Sequence, residues 1–263
     1  MKKNIIQRDV EIICEIHPQH IGSIKEIERM IIQSKLSGAD YVKVQLYSSS
    51  KLFGNNERKY LEINKKELVQ LNNYCKKIGI ELTASVFDEE KLSWCEDLDF
   101  QTYKIASRTV KEDKNLCKKI ISKKKRTIIS LGMYDWKSGF PFEGENIRYL
   151  YCVSNYPTHL TELDFPNFTE GKFYGYSDHT LGIEVDIAAV AMGAKCIEKH
   201  FTLDRNMNGP DHKASLEPNQ LKEMVLAIRN IEKALGTGIK QPSKSEISNI
   251  NLVRKSIVAK IVV

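Results

Sequence analysis

Eight short runs rich in β-branched residues, at 10–16, 41–47, 80–86, 101–106, 127–131, 149–153, 173–176 and 195–201, alternate with longer, mostly amphipathic stretches from end to end. Strands that alternate with helices pair in parallel through crossover connections. Eight such units in 263 residues fit a closed (β/α)8 barrel, a TIM barrel, better than an open sheet. The helix-like stretches are 24–37, 65–78, 89–96, 113–122, 162–169, 182–192 and 220–235. The fifth interval, 134–148, carries Gly139, Pro141 and Gly144 and allows only short helical turns. Gly38, Gly79 and Gly193 stand where helices should end. Without a repeat, low-complexity tract or linker, the expectation is one barrel domain over residues 1–263. A short tail runs from about 236 and closes on an apolar, strand-like run at 256–263 with no obvious partner in the barrel.

Composition removes several function classes. Hydrophobic residues make up 41% and charged residues 28%, which is too apolar for a disordered chain. No window holds the ~20 uninterrupted apolar residues of a membrane helix. The first apolar run is broken by Arg8, Asp9 and Glu11, so no secretory signal is read. The six cysteines are scattered with no Cys-x-x-Cys pair, which excludes a zinc ribbon and argues against a disulfide framework; the reducing cytoplasm is the expected compartment. Cys14, Cys152 and Cys196 lie in apolar strand-like runs and read as small hydrophobes. Net charge is +6, and the densest basic run, Lys118-Lys119 with Lys123 to Arg126, is interleaved with Ile120 and Ile121. That reads as a solvated helix face, so no nucleic-acid partner is expected. A modest positive balance suits an anionic small substrate.

In such a barrel the active site gathers where strands end. The polar residues there are Glu15, Lys43, Gln45, Thr83, Ser85, Lys104, Ser107, Ser130, and Ser154-Asn155-Tyr156. Ser177-Asp178-His179 and Glu198-Lys199-His200 complete the set. Lysine is costly to bury unpaired, so Lys43 and Lys104 inside apolar strands need anionic partners. Two of them among so many hydroxyls point to a phosphate or carboxylate ligand. His179 and His200 end neighbouring strands and could share a divalent ion, with Glu198 and Asp211 close in sequence.

Several long segments resemble the sialic acid synthase family, which condenses phosphoenolpyruvate with an amino-sugar to make nonulosonic acids. They include Tyr176-Ser177-Asp178-His179-Thr180-Leu181-Gly182, Ile197-Glu198-Lys199-His200-Phe201-Thr202-Leu203-Asp204 and Gly209-Pro210-Asp211-His212-Lys213-Ala214-Ser215-Leu216-Glu217-Pro218. Weaker matches are Gly38-Ala39-Asp40-Tyr41-Val42-Lys43-Val44-Gln45, Tyr103-Lys104-Ile105-Ala106-Ser107, Ser130-Leu131-Gly132-Met133 and Cys152-Val153-Ser154-Asn155-Tyr156-Pro157-Thr158. Arg254 to Ala259 looks like the segment that closes the family's barrel. The resemblance implies that Lys43, Thr83, Lys104, Ser107, Ser130 and Ser177 hold phosphoenolpyruvate. It places Ser154, with Asn155 beside it, at a position that often carries Asn. It makes His179 and His200 ligands for Mn²⁺ or Mg²⁺, turns Tyr156, Glu198 and Asp211 toward the sugar, and gives Glu15 a sugar contact. It also implies that Glu198 or Glu15 carries the proton transfers, that Lys43 and Lys104 neutralise phosphoenolpyruvate, and that the protein is a homodimer.

Two departures bear on the acceptor. The family usually reads Glu-Ile-Gly-x-Asn-His-Asn-Gly near the first strand, where this chain has Glu15-Ile16-His17-Pro18-Gln19-His20-Ile21-Gly22. The family also carries a small C-terminal antifreeze-like domain that delivers an Arg to the sugar, and the chain stops where that domain would be entered. Poor turnover of common N-acetyl sugars by the isolated chain is therefore expected. The competing readings are a synthase for a different aldose and a non-catalytic relative that binds a sugar or partner. Retention of both histidines with Lys43, Lys104 and Glu198 argues against the second.

Overall fold

A computed structural model describes residues 10–253. Its strands are β1 (Glu11–Glu15), β2 (Tyr41–Leu46), β3 (Glu81–Val86), β4 (Thr102–Ile105), β5 (Arg126–Ser130), β6 (Ile147–Cys152), β7 (Gly175–Asp178) and β8 (Cys196–His200). Each pairs in parallel with the next, and β8 pairs back on β1, closing the barrel in sequence order. The fold is the expected (β/α)8 TIM barrel.

Side chains alternate between the two faces of each strand. The outward set, including Ile12, Cys14, Val42 and Val44, joins the helix residues Ile27, Leu68, Leu71, Leu221 and Met224 in the main core. The inward set begins deep in the barrel with Ile13, Ile128, Leu150 and Cys196, which form a separate apolar cluster. Two positions further along β1 and β8 the inward residues become Glu15 and Glu198. The barrel interior therefore passes from apolar to ionic within one layer.

The helices are α1 (Ile24–Ser37), α2 (Ser49–Phe53), α3 (Lys65–Ile78), α4 (Glu89–Asp97), α5 (Ser107–Glu112), α6 (Lys114–Ser122), α7 (Glu184–Ala191), α8 (Pro218–Leu235) and α9 (Lys244–Val253). Their ends follow local chemistry. Ser23 caps α1 by accepting from the Glu26 N–H, and Asn64 and Glu67 form a reciprocal capping box on α3. Gly38 and Gly79 end α1 and α3 in the left-handed region, as expected, whereas Gly193 lies one residue past the end cap of α7, Met192.

The expected helix at 162–169 is absent. Only short 3₁₀ turns form there, at Leu160–Glu162 and Phe168–Glu170. Pro166 sits mid-segment, lacks an N–H and blocks the preceding turn. The short helices α2 and α5 carry no clear periodic signal and were not anticipated. The run at 256–263 and the Arg254–Ala259 match lie outside the described residues. Three lysines of the basic run that begins in α6 pair with carboxylates: Lys119 with Glu89, Lys123 with Glu96 at 2.5 Å and Lys125 with Asp99 at 2.8 Å. No helix among the described residues is long and apolar enough to cross a membrane.

Candidate active site

The strand ends enclose a cavity of about 370 Å³. Its centre is a buried ion cluster. The Lys43 ammonium lies 3.1 Å from Glu15 Oε2 and 2.7 Å from Glu198 Oε2, while Lys104 donates to Glu198 Oε1 at 2.9 Å. The Ser177 hydroxyl donates to the same Oε1 at 2.8 Å, and Gln45 Nε2 donates to Glu15 Oε2 at 3.2 Å. Strand register brings these groups together, because β8 pairs Glu198 with Ile13 on one side and with Ser177 on the other.

The charges on these groups follow from that geometry. Burial, ahead of the opposing pull of Lys43, raises Glu15 above the ordinary carboxylate range. Burial would raise Glu198 too, but Lys104 and Lys43 outweigh it and hold that carboxyl far below the usual range. Burial lowers Lys104, and the neighbouring Lys43 charge adds to the effect against the pull of Glu198. Lys43, paired with two carboxylates, is raised despite its burial.

Two imidazoles complete the wall. His179 and His200 have ring centroids 5.4 Å apart, and the Tyr156 ring lies against both, at 4.1 and 5.6 Å. His179 donates Nδ1–H to the Val153 carbonyl at 2.8 Å, which leaves Nε2 with the free lone pair. Gln19 Nε2 donates to His200 Nδ1 at 2.9 Å, so the neutral His200 ring carries its proton on Nε2, the opposite tautomer to His179. Burial would lower His179, but the neighbouring Cys152 outweighs it and raises that ring above its ordinary value. Its neutral form has the Nε2 lone pair free, and turning over the Gln19 amide, whose Oε1 has no partner among the described residues, would give His200 the same arrangement, so that the pair could hold a divalent ion. Among the described residues no group of three or more His, Cys, Asp or Glu is arranged to hold a metal, so any further ligands would be water or substrate oxygen. Burial, followed by the His179 and Lys43 charges, lowers His200 well below its ordinary value and favours its neutral form. Asp211, on the same wall, is raised by burial.

Hydroxyls line another part of the cavity. Ser107 Oγ accepts from the Gly132 N–H at 2.8 Å. Ser130 Oγ is buried on the wall with no protein hydrogen-bond partner among the described residues. Gly132 keeps this region open: a Cβ there would come within 2.0 Å of Ser154 Oγ and 3.0 Å of Ser107 Oγ.

Of the residues expected from sequence, Glu15, Lys43, Lys104, Ser107, Ser130 and Ser154 line the cavity, together with Tyr156, Ser177, His179, Glu198, His200 and Asp211. Two do not. Thr83 pairs with Lys43 one layer below Ser85, which is the β3 residue on the wall, and donates its hydroxyl to the Thr102 carbonyl at 2.9 Å. Asn155 turns to solvent and donates to the Glu162 carboxylate at 3.1 Å. Sequence reading missed Arg58 and Arg108, which line the mouth and flank Phe53 with ring-centroid distances of 4.8 and 5.3 Å. It also read Cys152 as a small hydrophobe, whereas its thiol lies on the wall 3.8 Å from the Ser107 and Ser154 hydroxyls. Counting two residues back from Ser154 would have placed Cys152 on the same face.

Known proteins share this arrangement of fold and sequence. The NeuB family profile matches residues 30–240. The chain is 37% identical to the N,N'-diacetyllegionaminic acid synthase of Campylobacter jejuni, over 99% of this chain and 86% of that one. It is 33% identical to the N-acetylneuraminate-9-phosphate synthase of Mus musculus, over 95% of this chain and 78% of that one. The crystal structure of N-acetylneuraminic acid synthetase from Leptospira borgpetersenii in complex with citrate matches with a TM-score of 0.80 at 31% identity, covering 94% of this chain and 93% of that one. A match over most of the barrel, in sequence and in shape alike, means that the chain belongs to the NeuB family.

Proposed function

We propose that this protein condenses phosphoenolpyruvate with an open-chain 2-acetamido aldose to give a nonulosonic acid and inorganic phosphate. The observation that carries the reading is Glu198 clamped between Lys43 and Lys104, in a cavity that also presents the His179–His200 pair. The products named for the Campylobacter and mouse relatives support the same product class. In the reaction, C3 of phosphoenolpyruvate attacks the aldehyde carbon, C2 takes the oxygen of water, and the resulting tetrahedral centre expels phosphate.

Lys43 and Lys104 neutralise the anionic substrate in a site already organised to do so. The orphaned Ser130 hydroxyl and the Gly132 cradle leave room for ligand oxygens. Glu15, raised by burial, is the better placed of the two carboxyls to take up and return the proton of the sugar hydroxyl. Glu198 is fixed as an anion and acts as the template that spaces the two ammonium groups. Tyr156 offers a ring face to the sugar beside the imidazoles. His179 and His200 would hold a Mn²⁺ or Mg²⁺ ion, which when bound supplies Lewis-acid polarisation of the aldehyde oxygen. The loop from His17 to Gly22 sets Gln19 against His200 and His17 against Tyr47, so its departure from the family pattern bears on how the acceptor side of the site is held.

The test is phosphate release from phosphoenolpyruvate across a panel of 2-acetamido aldoses, before and after chelation. Release that needs both an aldose and a divalent ion, and that disappears in Lys104→Met, is the expected result. Phosphate release indifferent to every aldose would refute the reading.

A further inference from the structure

A second buried ion cluster lies behind the imidazole pair, on the outward face of β7 and β8, and the proposed chemistry does not use it. Asp178, Asp186 and Lys199 are each no more than 1% exposed. Asp178 is saturated. It accepts from the Tyr176 hydroxyl at 2.5 Å, the Thr180 N–H at 2.7 Å and the Thr180 hydroxyl at 2.9 Å, and it pairs with the Lys199 ammonium. Lys199 donates in turn to the Thr180 carbonyl at 2.8 Å. Asp186 differs: it meets Lys199 at 3.3 Å, and neither of its oxygens has a hydrogen-bond partner among the described residues.

These contacts hold both peptide groups of Thr180 by side chains, at the point where β7 leaves the sheet. The residue between Asp178 and Thr180 is His179. Its carbonyl accepts from the Thr158 N–H at 2.9 Å, and its ring donates from Nδ1 to Val153. A buried ion pair contributes little net stability relative to an apolar pair, whereas its directional bonds fix geometry.

We infer that Asp178 and Lys199 are positioning residues for His179: they build the turn that aims its ring and thereby set the Nδ1–H tautomer. The inference rests on the proposed function only in giving that ring a task. The turn is a separate observation, and its test is readable in a protein with no turnover.

The experiment is long-range ¹H–¹⁵N imidazole NMR on the full chain, whose six histidines make the spectrum assignable. In the parent, the neutral His179 ring carries its proton on Nδ1. In Asp178→Asn and Lys199→Met a mixture of tautomers is expected. The kcat for phosphate release should fall about 10- to 100-fold, as for other outer contacts of ligating histidines, with the KM for phosphoenolpyruvate moving by less than about threefold. Thr180→Val keeps both charges and removes one bond, so it answers the question if the charge variants do not fold; a smaller shift in the same direction is expected. Asp186→Asn should leave the ring unchanged. An unaltered His179 tautomer in Thr180→Val and in whichever charge variant folds, with only a lower Tm, would overturn the inference.

Discussion

The molecule contains two buried clusters in which a lysine lies between two carboxylates. Inside the barrel, Lys43 sits between Glu15 and Glu198; outside it, Lys199 sits between Asp178 and Asp186. The difference is access. The inner cluster opens on the 370 Å³ cavity, so an incoming anion can exchange contacts with the carboxylates. The outer one is sealed between the sheet and α7, and nothing can replace its partners. Both clusters place a lysine between two carboxylates, and what can reach that lysine separates the one that can do chemistry from the one that holds a turn.

Removing an ammonium from each cluster is the sharpest way to break this comparison. Lys104→Met should cut kcat/KM by on the order of 10³-fold with a modest change in Tm, because water from the cavity can solvate the charge left behind. Near-normal turnover in a folded variant would mean that the inner cluster is structural after all. Lys199→Met should do the opposite to stability, lowering it by about 3–5 kcal/mol in urea unfolding, because the remaining carboxylates stay dry. A loss below about 1 kcal/mol would show that solvent reaches the outer cluster.

Acid probes a third sealed group. Burial pushes His20 down to about 4, and His17, in contact with it, is displaced in the same direction. The unfolded chain thus binds the proton first: stability from His20 is complete above about pH 6.5 and is lost as pH falls toward 4. The loss should be on the order of 3 kcal/mol, visible as a pH slope that flattens in His20→Asn. An identical slope in parent and variant would show that His20 titrates freely. The smallest effect belongs to Gly132→Ala, whose added methyl would meet Ser154 Oγ at 2.0 Å and push the two serine hydroxyls out of place. The KM for phosphoenolpyruvate should rise about tenfold or more with a small drop in Tm; an unchanged KM would move the anion elsewhere in the cavity.

Much of this architecture is legible in the chain itself. The eight strands stand out because their β-branched runs are short and separated by helical periodicity, and the paired acidic, basic and imidazole residues mark the strand ends. The missing helix after β6 was legible too, had Pro166 been weighed above the periodicity around it. Thr83 shows a firmer limit. Strand ends give the face of a residue but not its reach: Thr83 shares the layer of Lys43, yet its short side chain turns to the Thr102 carbonyl and leaves Ser85 as the β3 residue on the wall. Arg58 and Arg108 lie in or beside short helices that pattern does not reveal, and they meet only because both flank Phe53. Asp178 and Lys199 were in view all along, embedded between residues assigned to the site. Their opposite facing follows from the two-residue period, but their pairing with each other requires the register of β7 against β8.

That register has a consequence for how the protein can change over generations. Glu198 and His200 point one way from β8 and Lys199 the other, with Asp178 matched to Lys199 across the strand pair. Adding or deleting a single codon in this stretch would trade the interior set for the exterior one, stranding an ammonium in the pocket and a carboxylate against the helical layer. A change of chain length would be tolerated only beyond the turn at Thr180 and past the end of β8, where the strand register no longer sets which way a side chain points.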